Sequence, residues 1–215
     1  MQASSADEDG FGPAEVAQLT GVCEATLERV GAFLTLLEAH RSRLNLIGPR
    51  EQGRIWRRHV LDSLQLAPLI PSSARALADL GSGAGFPGLV LACHLQQTSD
   101  ARVYLVEKSP KKSAFLQAAV AQLGLPAIVL TQRAEEGPTR PADVVTARAL
   151  APLSQLLALS KGWLVQEGRA LFLKGRDAAD ELSLARQHWA FEADIRPSLS
   201  SPEGCVLTVT SLRPV

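Results

Sequence analysis

An α/β fold of Rossmann-like type is predicted: a mostly parallel seven-stranded sheet with an antiparallel last strand, preceded by an N-terminal helical extension. Three features of the 215-residue sequence predict it. From residue 74 onward, short apolar runs alternate with amphipathic stretches of about a dozen residues, the pattern of right-handed βαβ units. A glycine-rich turn at residues 81–85 joins the first of these runs to the helix that follows it, at the sheet edge where open α/β folds bind ligands. Two late apolar runs then succeed each other without a long helix between them, which closes the sheet with a hairpin.

The elements follow in chain order. Residues 1–12 carry Asp7, Glu8 and Asp9 and are expected to be a disordered acidic tail. Leu27, Val30, Leu34 and Leu37 recur at helical spacing, which predicts one amphipathic helix over 22–40. Residues 50–69 predict one or two further helices with Ile55, His59, Leu61, Leu64 and Leu66 facing inward, closed by Pro68 and Pro71. Together these make a helical cap over 13–71. The sheet domain, 72–213, begins with a strand at 76–80, and Pro87 suits the first turn of the next helix. A second strand at 103–106 ends in Glu107, and Ser109 with Pro110 starts a helix that Gly124 ends. Strands at 127–130 and 143–147 follow, then a helix opened by Pro152, and finally strands at 168–173, 191–195 and 205–210.

Composition excludes several classes. No apolar run approaches the roughly 20 residues that cross a bilayer, and the polar N-terminus lacks a signal-peptide core, so a cytoplasmic monomer with no membrane contact is expected. Cys23, Cys93 and Cys205 stand alone, without metal-ligand or disulfide spacing, and read as small buried apolar groups in a reducing compartment. Twenty-two basic and 22 acidic residues balance, but from 41 to 58 there are six arginines against one acid, Glu51. That basic segment points to a polyanionic partner.

The glycine turn is the chemical signal. Residues 83–88 satisfy G-x-G-x-x-G, so a dinucleotide is one candidate ligand. The wider pattern, Asp79-x-Gly81-x-Gly83-x-Gly85, favours another: an acid before the first glycine suits a positively charged ligand, and the apolar Phe86-Pro87 start of the helix offers no welcome to a pyrophosphate. No Gly-Lys-Ser/Thr follows, which excludes a P-loop. Glu107 closes its strand where a carboxylate can accept both ribose hydroxyls of an adenosine. Past the third strand, Glu135 can reach an adenine amino group and the Ala134 amide a ring nitrogen, although Glu135-Glu136 reads equally well as a solvated turn. These features fit a class I methyltransferase core binding S-adenosyl-L-methionine.

At these residues the sequence resembles the RsmG (GidB) family of small-subunit ribosomal RNA methyltransferases. The resemblance runs from about residue 22 to 212. It rests on Asn45-Leu46, on Arg58-His59-Val60-Leu61-Asp62-Ser63, on the stretch from Asp79 to Gly88, on Glu107-Lys108-Ser109 with the Lys111–Leu116 block, on Ala147-Arg148-Ala149 and on Leu173-Lys174-Gly175. It implies methylation of guanine N7 in 16S rRNA, with cofactor contacts at Gly81, Phe86, Ala134, Glu135 and Arg148 and with Glu107 near the ribose. Asp79, Gly83 and Gly85 complete the expected cofactor set. Arg148, at the mouth between substrate and methyl donor, is the expected catalytic residue. Arg54, Arg57, Arg58, His59, Lys111, Lys112, Lys174 and Arg176 are the expected RNA contacts, and no metal is called for. Guanine N7 carries a free lone pair, so alignment rather than proton removal is the expected means of catalysis. Ala84 departs from the family, many members of which have proline there.

Overall fold

A computed structural model describes residues 6–44, 48, 53–97 and 100–215. Asn45, Leu46, Arg50 and Glu51, and the side chains of Arg41 and Arg43, lie outside the described residues, and with them part of the basic segment.

Helix α1, Pro13–Thr20, starts where Pro13 presets the first turn and Glu15 accepts the Gly12 amide at 2.8 Å. Gly21, left-handed at φ 72°, ends it. Helix α2, Glu24–Leu44, buries Val30, Phe33, Leu34 and Leu37, the face that the spacing predicts. A π-helical turn, Trp56–Leu61, runs into the short α3, Asp62–Leu64, and a 3-10 turn at Ala67–Leu69 leads to the sheet.

Strands β1 (Ala76–Leu80), β2 (Arg102–Val106), β3 (Ala127–Leu130), β4 (Ala142–Arg148), β5 (Leu164–Lys174), β6 (Trp189–Pro197) and β7 (Cys205–Pro214) form one seven-stranded sheet in the order β3-β2-β1-β4-β5-β7-β6. β1 to β5 pair in parallel, while β7 is antiparallel to both of its neighbours. The last strand thus sits inside β6 rather than at the edge. Helices α4 (Gly88–Leu95) and α5 (Pro110–Leu123) cover one face with the cap, and α6 (Leu153–Trp163) and α7 (Ala178–Ala185) cover the other. Helix α7 has no counterpart in the sequence reading. It is only 8 residues long, with Ala178, Leu182 and Ala185 as its buried contacts, too few to stand out as a period.

Alternation along β1 divides its side chains between the two cores. Leu77 packs with Leu89, Leu116 and the cap residues Phe33, Trp56 and Leu64; Ala78 and Leu80 pack with Leu156, Trp163 and Leu182. The cap therefore shares its core with the sheet. Truncating Phe33, which has no exposed surface, should cost about 3–5 kcal/mol.

Two expectations are corrected. Residues 7–12 are not a disordered tail: the buried Asp7 carboxylate accepts the Trp56 and Arg57 amides, each at 2.9 Å, and Phe11 is buried beneath the Arg57 guanidinium. An acid that caps free amides has a reason to be ordered that composition does not reveal. Cys23 is exposed, not buried, with Gln97 Nε2 2.8 Å from its sulfur, and hydrogen bonds from Thr26 and Gln97 bring its pKa down to about 7. Cys93 is buried, which pushes its thiol up to about 12. Among the described residues no helix is long and apolar enough to cross a membrane.

Candidate functional site

Two cavities open at the carboxyl edge of the sheet, and Arg148 and Ala149 line both. Ala149 stands at φ 51°, in the left-handed region that a residue with a Cβ rarely adopts. The strain falls at the junction between the cavities, as strain at working sites tends to.

The first cavity, about 320 Å³, is bounded by Gly81 and Gly83, by Glu107 and Lys108, by Ala134 and Glu135, and by Arg148 to Ala151. The chain reverses after β1 because Gly81 and Gly83 take φ 74° and 55°. A Cβ on Gly81 would fall 2.7 Å from Leu150 Cδ1, inside the space that the cavity needs. Glu107 is 7% exposed, and its two oxygens accept the Gly83 amide at 2.9 Å and the Ser109 amide at 2.7 Å. The carboxylate is thus clamped between the glycine turn and the start of α5, with lone pairs left to accept further donors. Across the cavity, Trp163 Nε1 donates to the Ala134 carbonyl at 2.8 Å, which fixes that turn. Glu136, not Glu135, serves the turn, accepting the Arg133 amide at 2.8 Å; Glu135 faces the cavity.

Asp79, Gly85 and Phe86 do not line the first cavity. Asp79, 1% exposed, accepts from Thr146 Oγ1 at 2.8 Å and from the Gly88 amide at 3.1 Å. It caps helix α4, filling from within the protein the position where a pyrophosphate would otherwise dock. Burial raises its pKa to about 6, against the pull of those hydrogen bonds. The expectation that Asp79 faces a cationic ligand is therefore corrected: its distinction from Glu107 is one of strand register, which a motif does not express. Gly85 is a packing glycine, since a Cβ there would meet Phe33 at 3.0 Å. The buried Phe86 ring lies 4.9 Å from the His59 ring and 5.4 Å from Phe33.

The second cavity, about 550 Å³, lies between the π turn of the cap, the end of β5 and the loop between β6 and β7. Arg148 is fastened here. Its Nη1 donates to the Arg58 carbonyl at 3.0 Å and to Asp62 Oδ2 at 3.3 Å, and its Nη2 lies 2.6 Å from His59 Nδ1. A guanidinium has only donors, so His59 Nδ1 is the acceptor and the ring is neutral. Burial, reinforced by the charges of Arg148 and Arg58, lowers the His59 pKa to about 3. Asp62 Oδ1 accepts from Ser200 Oγ at 2.6 Å and Gln65 Nε2 at 2.9 Å, and Gln65 Oε1 accepts the Leu199 amide at 2.8 Å. The β6–β7 loop is thereby tied to the cap.

The expected RNA contacts divide. Arg54, Arg58, Lys111 and Arg176 are exposed, Arg176 in a solvated pair with Glu203 at 3.4 Å. Lys112 lines the first cavity instead. Arg57 pairs with Asp9 at 3.3 Å over Phe11, Lys174 pairs with Glu181 at 2.6 Å, and His59 is 4% exposed. Each of the three has a partner or neighbour within the protein: the Arg57 side chain stays 38% exposed in its pair, while Lys174 and His59 line the second cavity. Sequence reasoning missed Asp62, Gln65, Ser200 and Ser198, whose Oγ accepts from Gln65 Nε2 at 3.2 Å, as site residues. Asp62 lies within the Arg58–Ser63 block, so its signal was present; the serines carry none.

A family model described as rRNA small subunit methyltransferase G matches residues 26–203. A protein of Paramagnetospirillum magneticum named ribosomal RNA small subunit methyltransferase G is 47% identical over 197 residues, covering 92% of this chain and 94% of that protein. Among solved structures, a SAM-dependent methyltransferase from Aquifex aeolicus aligns with TM-score 0.56 at 14% identity, covering 77% of this chain and 94% of that one. M. jannaschii TYW2 in complex with AdoMet aligns with TM-score 0.52 at 15% identity, covering 70% and 74%. At such identities the structural likeness speaks for the fold.

Proposed function

The chain belongs to the rRNA small subunit methyltransferase G family, and on that premise we propose that it transfers a methyl group from S-adenosyl-L-methionine to N7 of a guanine in 16S rRNA. The observation that carries the cofactor half is the first cavity itself. A clamped carboxylate, Glu107, stands at its β2 end to accept ribose hydroxyls, and Ala134 with Glu135 stands where an adenine edge needs a donor and an acceptor. Gly81 and Gly83 leave the backbone bare between them. The donor set fits the group, while the capping of α4 by Asp79 counts against a dinucleotide. When bound, the cofactor supplies a methyl group made electrophilic by its sulfonium.

The chain's own residues then align and hold. Arg148, placed at the junction of the cavities and gripped by Arg58, His59 and Asp62, positions the acceptor and adds positive potential beside it. His59 takes part as a neutral hydrogen-bond acceptor, with its pKa far below neutrality, and not as a general base. None is needed, because N7 of guanine is unprotonated at neutral pH. The exposed Arg54, Arg58, Lys111 and Arg176 contact phosphates. The same reading places the enzyme in the cytoplasm, acting as a monomer.

The test uses the full chain, labelled S-adenosyl-L-methionine and small subunits from cells that lack this enzyme. Label is expected in one 7-methylguanine of 16S rRNA. Label at another atom or in large-subunit rRNA, or calorimetric uptake of NAD in place of S-adenosyl-L-methionine, would overturn the reading.

A further inference from the structure

The second cavity reads its base through a pair of side chains. We infer that Arg148 and Asp62 together select guanine over adenine, Arg148 donating to O6 and Asp62 accepting from N1–H, with the β6–β7 loop as the wall that holds Asp62 in place. The inference rests on the guanine-N7 reading and adds the device that enforces it.

The chemistry of the purine edge decides the pairing. Around guanine the order is N7, then O6 (an acceptor), then N1–H (a donor). Around adenine it is N7, then the 6-amino group (a donor), then N1 (an acceptor). A protein that presents a donor beside an acceptor matches the first order and opposes the second. Arg148 and Asp62 are such a pair, 3.3 Å apart. Their placement gives the direction: Arg148 lines both cavities, Asp62 only the second. Reading outward from the first cavity, the sequence is methyl donor, Arg148, Asp62. A base whose N7 faces the first cavity therefore meets Arg148 with O6 and Asp62 with N1–H.

Both partners have the capacity. The described hydrogen bonds occupy one Asp62 oxygen, Oδ1, with two donors, Ser200 and Gln65, and leave Oδ2 with Arg148 alone. One acceptor position on Oδ2 is thus open. Of the five N–H groups of Arg148, its described hydrogen bonds to Arg58, Asp62 and His59 use three. Asp62 and Arg148 side chains are 15% and 22% exposed, sheltered enough for mispairing to matter. Ser200 and Gln65 act through Asp62 and are positioning residues. They fix its carboxylate so that Oδ2, not Oδ1, faces the base.

The experiment reconstitutes small subunits with the target guanine replaced singly and measures kcat/KM for methyl transfer by the full chain. Inosine keeps O6 and N1–H and should be methylated within about threefold of guanine. Adenine and 2-aminopurine keep N7 but present the wrong edge and should fall about 100-fold or more, the scale on which sites built for a polar group reject its absence. Asp62→Asn should lower guanine kcat/KM about 10- to 100-fold, shrink the preference over adenine, and leave S-adenosyl-L-methionine affinity in place. Adenine or 2-aminopurine accepted as well as guanine by the wild-type chain would overturn the pair, as would an unchanged preference in Asp62→Asn. A 7-deazaguanine substrate separates the two readings: continued methylation there overturns the N7 reading, whereas loss of methylation there together with full acceptance of adenine or 2-aminopurine overturns only the pair.

Discussion

The two cavities share Arg148 and Ala149 yet are built in opposite ways. The first is made largely by backbone: positive-φ glycines after β1 and a carboxylate held in place by the Gly83 and Ser109 amides. Its parts come from neighbouring strand ends, so register alone assembles them. The second is made by side chains that meet over long sequence separations, Arg148 with His59 and Asp62, and Asp62 with Ser200. The difference teaches that the fold can supply a cofactor site almost by topology, whereas the acceptor site depends on individual side-chain contacts between the cap and the sheet domain.

The largest test falls on the backbone-built side. Glu107→Gln keeps the shape but replaces one accepting oxygen with a donor, leaving either the Gly83 or the Ser109 amide unpaired. S-adenosyl-L-methionine affinity should drop about 100-fold, the loss of one to two hydrogen bonds to a charged acceptor, as read by calorimetry. A change under threefold would mean that Glu107 only shapes the turn. On the side-chain-built side, Arg148→Lys keeps the charge but cannot span Arg58, Asp62 and His59 at once. Its rRNA kcat/KM should fall about 10- to 100-fold with a smaller change in cofactor affinity. Equal losses in the two would erase the distinction between the cavities.

The same contrast governs what the sequence made legible. The strands, the glycine turn and Glu107 were readable because each is local: period two, a turn that needs positive φ, an acid at a strand end. Asp79 misled because one strand carries both it and the turn, and only the sheet shows that its side chain points toward Gly88. The partners of Arg57, His59 and Lys174 were not legible, because a charge in sequence says nothing of the group that folding brings to it. Helix α7 and the serines of the β6–β7 loop had no periodic or motif signal at all.

Proton binding should separate the regions further. The pKa of His59, about 3, lies below its ordinary 6.5, so the unfolded chain binds the extra proton between those values. The stability that neutral His59 lends the cap wall is full above pH 6.5 and declines as pH falls. Asp79 runs the other way: raised from 3.8 to about 6, it favours the fold most below its ordinary value and loses that contribution as pH rises through 6. Going from pH 7 to 5, hydrogen exchange corrected for intrinsic rates should speed up roughly tenfold across residues 56–64 and slow or hold steady across 79–88. Parallel changes in the two segments would break the comparison.

The smallest effect concerns the basic side chains, where exposure decides the outcome. Removing one phosphate-binding cation should flatten the dependence of log affinity on log salt by about 0.7–0.9. Arg58→Ala and Arg176→Ala remove exposed cations, so rRNA affinity should weaken several-fold at low salt and the slope should flatten by about that amount. Lys174 is engaged with Glu181 and its side chain is only 10% exposed. Replacing it with alanine should lower the melting temperature while the salt slope stays as in the wild type, because a sheltered ammonium held by a carboxylate of the protein is not offered to a phosphate. If Lys174→Ala flattened the slope as Arg58→Ala does, Lys174 would leave Glu181 for a phosphate on binding. The acceptor cavity would then be remade by RNA, which is the one way that its side-chain construction differs in kind from the rigid turn at Gly81.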